Sequence, residues 1–296
     1  MNTPTTKVDT FELITNAIVE ALETAGDWKR PWQRLCSAQP VNVIGRDYRG
    51  VNTLALWVAM EKNGWQVPIF GTFKQWQSVG AQVRKGSKGT AVVFWKALGR
   101  DGDPEEGGDE PAERMGVIAR TFYVFNRAQV ENAPELPVPV VLPEQERLRQ
   151  VDQFISGTRA IIRHGSQDRA FYSAVSDVIS LPEFRQFTSA QGYAATALHE
   201  LAHWSGHGTR CNRPILNKFG TVEYGREELV AEIASAMLSA KLGVEGDLMN
   251  HASYVKSWLS AIKSDRKLLF TAASQAQKAV DYLFSLQVES AQALAA

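Results

Sequence analysis

Cysteine is scarce. The 296 residues hold two, Cys36 and Cys211, far apart and in no CxxC pair. That argues against a disulfide framework and against a cysteine zinc site. Net charge is absent: 32 Lys and Arg balance 32 Asp and Glu, so whole-chain charge points to no partner. No apolar run reaches the roughly 18 residues that a membrane span needs. The opening "MNTPTTKVDTFELITNAIVEALETAGDWK" lacks the short apolar core and small-residue cleavage site of a signal peptide. Together these absences read as a reducing, cytoplasmic protein with no membrane partner.

What is present is ordinary globular composition, 44% apolar and 22% charged, over a length that suggests about two domains. The reading is α+β: an N-terminal α+β domain over 1–130, a proline-rich linker over 131–146, and a mostly helical domain with a small sheet over 147–296. Thr10 can cap a first helix with Phe11, Ile14, Ile18, Ala21 and Leu22 on one face. A second helix runs from about Thr53 to Lys62. "TAVVFWKAL" and "TFYVFN" read as strands, and the acidic Gly- and Pro-rich stretch between them, Asp101 to Glu113, as an exposed loop. In the second half a helix spans about Glu144 to Gly157, and "AFYSAVSDVISLP" alternates as one strand. A long helix starts near Ser189 and another ends at Gly243. Two more, around Tyr254–Ser264 and Ser274–Gln287, close the chain.

Charge is uneven in a way the total hides. Residues 1–100 carry thirteen Lys or Arg against seven acids. "GRDYRG" sets Arg46 and Arg49 beside Tyr48, and "KQWQSVGAQVRKGSKG" sets Lys74 near Trp76 and then Arg84, Lys85 and Lys88 in a glycine-flanked turn. A binder of single-stranded nucleic acid needs such a combination, cations for phosphates and ring faces for bases. A basic turn is also the commonest form of solvated hairpin, and most Trp in a domain this size are core.

Three of the five histidines lie in "ALHELAHWSGHGTR". His199, Glu200 and His203 form HExxH. Spacing i, i+4 puts both imidazoles on one helical face within reach of one ion, and Glu200 can lean over its open position as general base. The third ligand decides the type of site. HExxHxxGxxH would need a ligand at position 209, which is Thr; His207 comes two residues early and flanks the site. The alternative is a glutamate of "REELVAEIASAML". Glu228 is favoured as ligand, with Glu232 one turn on holding a ligand imidazole by hydrogen bond. Glu227 is the competing ligand, and it also suits a solvated acidic helix start. The ion would be zinc, with manganese or cobalt also accepting two His and one Glu.

"YRGVNTLALW", "GTFKQW", "VRKGSKGTAVVFWK", "AFYSAVSDVISLP", "ALHELAHWSGH" and "EELVAEIASAML", in this order from about residue 10 to 285, resemble ArdC-type antirestriction proteins of conjugative plasmids. The resemblance implies a single-stranded-DNA-binding N-terminal domain, a zincin-like metallopeptidase domain, and protection of incoming plasmid DNA from host restriction enzymes. His199, Glu200 and His203 match the family's metal motif; Glu228 matches by its place in the following helix.

Two classes of function stand against each other. One is metal-assisted peptide hydrolysis, with Glu200 shuttling the proton, His207 or Tyr224 near the oxyanion, and "FYSAVSDVI" as the strand edge that pairs with an extended substrate. The other is a non-catalytic DNA-binding and protein-interaction protein, with a structural or idle metal site, that coats DNA or blocks the restriction enzyme. An intact Glu200 favours the first, since a structural site does not need it. A peptidase that cleaves a repressor and a primase-associated module are weaker readings; no polymerase acid cluster supports the last.

Overall fold

A computed structural model describes residues 9–24, 38–97, 117–136, 143–216, 221–244 and 252–295. The acidic loop, Cys36 and residues 137–142 of the linker lie outside these. The elements are α+β throughout. The chain forms two units, one on the described residues of Met1–Asp27, Pro40–Val138 and Ala261–Phe270, the other on those of Trp28–Gln39, Pro139–Ser260 and Thr271–Ala296.

In the first unit, α1 (Thr10–Thr24) begins after Asp9, whose carboxylate accepts the Phe11 amide at 3.0 Å. Asp9 therefore fills the role expected of Thr10, whose hydroxyl instead meets that of Thr121 at 2.6 Å. A four-stranded sheet follows the order β1 (Val41–Asn42), β2 (Ile69–Gly71), β5 (Val117–Asn126), β4 (Thr90–Ala97). β5 pairs antiparallel with both β2 and β4. A second, two-stranded ribbon joins β3 (Gln82–Val83) to β6 (Val130–Glu131). α2 (Val51–Asn63) packs on the sheet, and its buried Asn52 amide bonds both backbone groups of Val93, at 2.7 and 2.8 Å. The short helix α3 (Phe73–Ser78) carries a capping box. The Thr72 hydroxyl accepts the Gln75 amide while the Gln75 side chain accepts that of Thr72.

In the second unit, α4 (Glu144–Gly157) leads to the sheet β7–β9–β8: β7 is Ile161–Gly165, β8 is Phe171–Ser173 and β9 is Val178–Pro182. The single strand expected from "AFYSAVSDVISLP" is thus two, with a turn between them. Asp177 enters the left-handed region there (φ 52°) and accepts the Tyr172 hydroxyl at 2.7 Å. Period-two alternation survives a tight turn, so the pattern alone could not show the break. β9 is paired on both sides, so of "FYSAVSDVI" only Phe171–Ser173 lies in an edge strand. Next come α5 (Ala190–Ser205), α6 (Val222–Leu242), α7 (Ala252–Ser264) and α8 (Arg266–Ala295). α5 packs along α6, and these two helices build the site. Among the described residues no helix is long and apolar enough to cross a membrane.

Candidate metal centre

Ser189 starts α5 by accepting the Gly192 amide at 2.9 Å, and an alanine-rich stretch carries the helix to the histidines. Thr221 does the same for α6 at the Tyr224 amide. Side chains three or four residues apart share a helical face, so His199 and His203 point together toward α6. There the run Glu227, Glu228, Glu232 meets them.

His199 Nε2 and His203 Nε2 lie 3.2 Å apart. The Glu228 carboxylate spans both, with one oxygen 3.6 Å from His199 Nε2 and the other 3.5 Å from His203 Nε2. These three residues form the group, among the described residues, whose donor atoms converge closely enough to hold one metal ion. The spacing fits: ligands bound at about 2.0–2.1 Å around a tetrahedral ion stand about 3.3–3.4 Å from one another. The charges fit too. Glu200, Glu227, Glu228 and Glu232 are all buried, and the buried guanidinium of Arg213 pairs with Glu227. Burying carboxylates is costly unless cations compensate, and a divalent ion would do so here.

Of the protein's own groups at the centre, His199 answers part of that need. Burial opposes a charge on His199, but the bond to Glu228 and the charges of Glu232, Glu200 and Glu228 raise its imidazole to about 9. Burial likewise works against the Glu228 carboxylate, yet His199 and His203 hold it down at about 2, with help from the Tyr224 hydroxyl. Tyr224 thus bonds the carboxylate that faces the imidazoles.

Glu227 is not a solvated helix start. It is buried, and it does not approach either Nε2. One oxygen lies 3.2 Å from His203 Nδ1, the opposite ring nitrogen, while Arg213 donates to both its oxygens at 2.8 and 3.0 Å. Those bonds outweigh burial and hold its carboxyl below the usual range. Arg213 also donates to Ser205 Oγ at 3.0 Å and the Ala202 carbonyl at 2.6 Å, so it is clamped to α5. The Arg213–Glu227 pair fixes the His203 ring, and no spacing in the sequence announces it. Gly206 makes room for it: a Cβ there would stand 2.8 Å from Arg213 Nη2. Glu232 lies on the Nδ1 side of His199 at 4.0 Å. His207 is half-buried and turned to Thr209, 2.8 Å from its hydroxyl, outside the converging group.

The residues singled out in the first half fall into two sets. Arg46, Lys74, Arg84, Lys85 and Lys88 are exposed, and Arg49 is half-buried. Tyr48 and Trp76 are core, which corrects the expectation that they offer stacking faces. Tyr48 packs edge-on against Phe70 at 6.4 Å between centroids, and Trp76 donates its ring N–H to the Phe125 carbonyl at 2.9 Å.

Two family models match the chain: the N-terminal domain of anti-restriction factor ArdC over residues 8–125, and zincin-like metallopeptidase over residues 149–275. The crystal structure of antirestriction ArdC protein from R388 plasmid, in its Mn(II)-bound form, superposes with a TM-score of 0.78 at 34% identity, covering 94% of this chain and 98% of that one. An uncharacterized protein of Sinorhizobium fredii, y4eC, is 42% identical over 97% of this chain and 95% of its own length. DNA primase TraC of Escherichia coli is 35% identical over 95% of this chain, which spans 27% of that primase.

Proposed function

Because the chain belongs to the ArdC family, we propose that it is an antirestriction protein that binds single-stranded DNA through its first unit and carries a metal-dependent peptidase-like site in its second. The observation that carries the reading is the convergence of His199, His203 and Glu228 beside a buried Glu200. His199, His203 and Glu228 would hold one divalent ion, zinc by the preference of two imidazoles and a carboxylate, with manganese or cobalt accepted by the same donors. Bound there, such an ion supplies Lewis-acid polarisation of a carbonyl and of water.

The chain's own residues do the rest. Glu200 takes the proton of the attacking water and delivers it to the leaving amine. Glu227 and Arg213 keep the His203 Nε2 lone pair aimed at the centre, and Glu232 faces the far side of His199. The exposed cations of the first unit attract the DNA backbone. Protein partners are a restriction enzyme or another substrate that reaches the site.

The test is a restriction-protection assay with the full-length protein, comparing wild type, Glu200→Gln and Lys85→Ala/Lys88→Ala. Loss of protection in Glu200→Gln with metal retained supports hydrolysis. Full protection by Glu200→Gln would sink the catalytic part and leave a protein that acts by binding.

A further inference from the structure

We propose that single-stranded DNA crosses the first unit over Tyr123 and Phe73 as stacking faces, with Lys74 and the turn Arg84–Lys88 gripping its phosphates; this rests on the reading that this unit binds single-stranded DNA. Tyr123 is 56% exposed and Phe73 47%, the two large aromatic rings that stand out into water from the described part of this unit. Along β5 side chains alternate. Phe122 and Val124 pack into the core with Phe70 and Val92. On the opposite face Thr121 is tied to Thr10 of α1, and Phe125 is half-covered by the Trp76 cluster. Tyr123 lies between them, and its register partner across the sheet is Ala91, too small to cover it. Phe73 comes two residues after Gly71, whose register partner is Phe125.

The cations are brought to this face by the backbone. Gly89 closes the basic turn against the aromatics: a Cβ there would stand 2.9 Å from Tyr123 Cβ and 3.3 Å from the Phe125 ring. The turn is also anchored. Arg84 N donates to the Gln129 carbonyl at 3.0 Å, Gln129 returns a bond to the Lys88 carbonyl at 2.9 Å, and Ser87 N closes on Arg84 O at 3.1 Å. Lys74, Lys85 and Lys88 are exposed residues, and Arg84, also exposed, lends its guanidinium to the Ala128 carbonyl and so braces the turn. Rings beside cations carried on an anchored turn match bases beside phosphates. Duplex DNA would not satisfy the rings, because its bases are already stacked on each other.

The experiment titrates labelled oligo(dT) into the full-length protein at several salt concentrations. Tyr123→Ala and Phe73→Ala should each weaken binding about 5- to 150-fold and leave the salt slope unchanged. Tyr123→Phe should bind as wild type does, since the ring and not the hydroxyl is used. Lys85→Ala/Lys88→Ala should flatten the log–log slope by about 0.7 per charge removed. Tyr123 and Phe73 are exposed, so circular dichroism should show both variants folded. Wild-type affinity in folded Tyr123→Ala and Phe73→Ala overturns the surface while the functional reading stands. So does a loss confined to Trp65→Ala, which would route the strand through the concavity of about 700 Å³ lined by Trp65, Arg127 and Leu136. No binding by wild type removes the functional reading, and the surface with it.

Discussion

His203 uses its two ring nitrogens for different partners, Nε2 toward His199 and Glu228 and Nδ1 toward Glu227. Substitutions should separate those roles. His199→Ala or Glu228→Ala should abolish stoichiometric metal by elemental analysis. Glu227→Ala should retain a site but lower metal affinity about 10- to 100-fold, the usual cost of losing an orienting partner. Equal losses in Glu227→Ala and Glu228→Ala would mean the division of labour is wrong. Protons compete with metal for the same imidazole. Since the surrounding carboxylates raise the His199 imidazole to about 9, apparent affinity in a pH-stepped titration should keep rising up to about that pH rather than levelling off near 6.5. The metal-free protein should behave in the opposite sense. A raised His199 stabilises it fully below 6.5 and ceases to as pH rises through about 9. The depressed Glu228 stabilises it above 4.5 and ceases to as pH falls toward about 2. Thermal melts of chelated protein should therefore show this pair contributing most between those bounds, and a contribution still growing above pH 9 would contradict the assignment.

At the scale of elements, α2 is joined to β4 by one side chain. Asn52→Ala would leave the Val93 N–H and C=O buried without their amide partner, where each orphaned group costs about 1–3 kcal/mol. A destabilisation of roughly 3 kcal/mol in urea melts is expected, and less than about 1 would show that water or another group replaces the amide. Helix boundaries are legible in the amino-acid sequence: Ser189 opens α5, Gly243 closes α6, and the helix from Glu144 to Gly157 stands where its periodicity puts it. Caps and periodicity act over a few residues, so they are written locally. The β8–β9 turn is not, because it is held by Arg210, whose guanidinium reaches Asp177 at 2.5 Å from 33 residues away and lies 3.9 Å from the Trp204 ring centroid.

For the whole chain, the first unit is not contiguous in sequence. Ala261–Phe270 belongs to it. Arg266 offers its carbonyl to Thr15 at 3.2 Å and its guanidinium to Glu12 at 3.0 Å, and the Phe270 ring lies 4.6 Å from that of Phe11. A fragment of residues 1–130 lacks these partners. It should melt at a lower temperature than the corresponding transition of the intact chain, and Phe270→Ala in the intact chain should cost about 3–5 kcal/mol. Equal melting of fragment and intact chain would show that the returning segment adds nothing. An assay that assigns DNA binding by truncation at 130 therefore removes part of the unit it means to isolate.

Local sequence was enough to read the α+β class, the HExxH face of α5, the acidic helix that follows, and the cationic turn between β3 and β4. Each of these depends on residues within a few positions of one another. It took the packing of α5 on α6 to show that Glu228 faces both Nε2 atoms while Glu227, its neighbour, turns to Nδ1 and Arg213. A step of about 100° around a helix separates adjacent residues, and which direction holds the partner helix is not a local property. The same holds for the aromatics. Tyr48 and Trp76 sit beside cations in sequence and are buried, whereas Tyr123, in an apolar strand, is exposed. Whether a ring meets water depends on what packs over it from elsewhere in the chain.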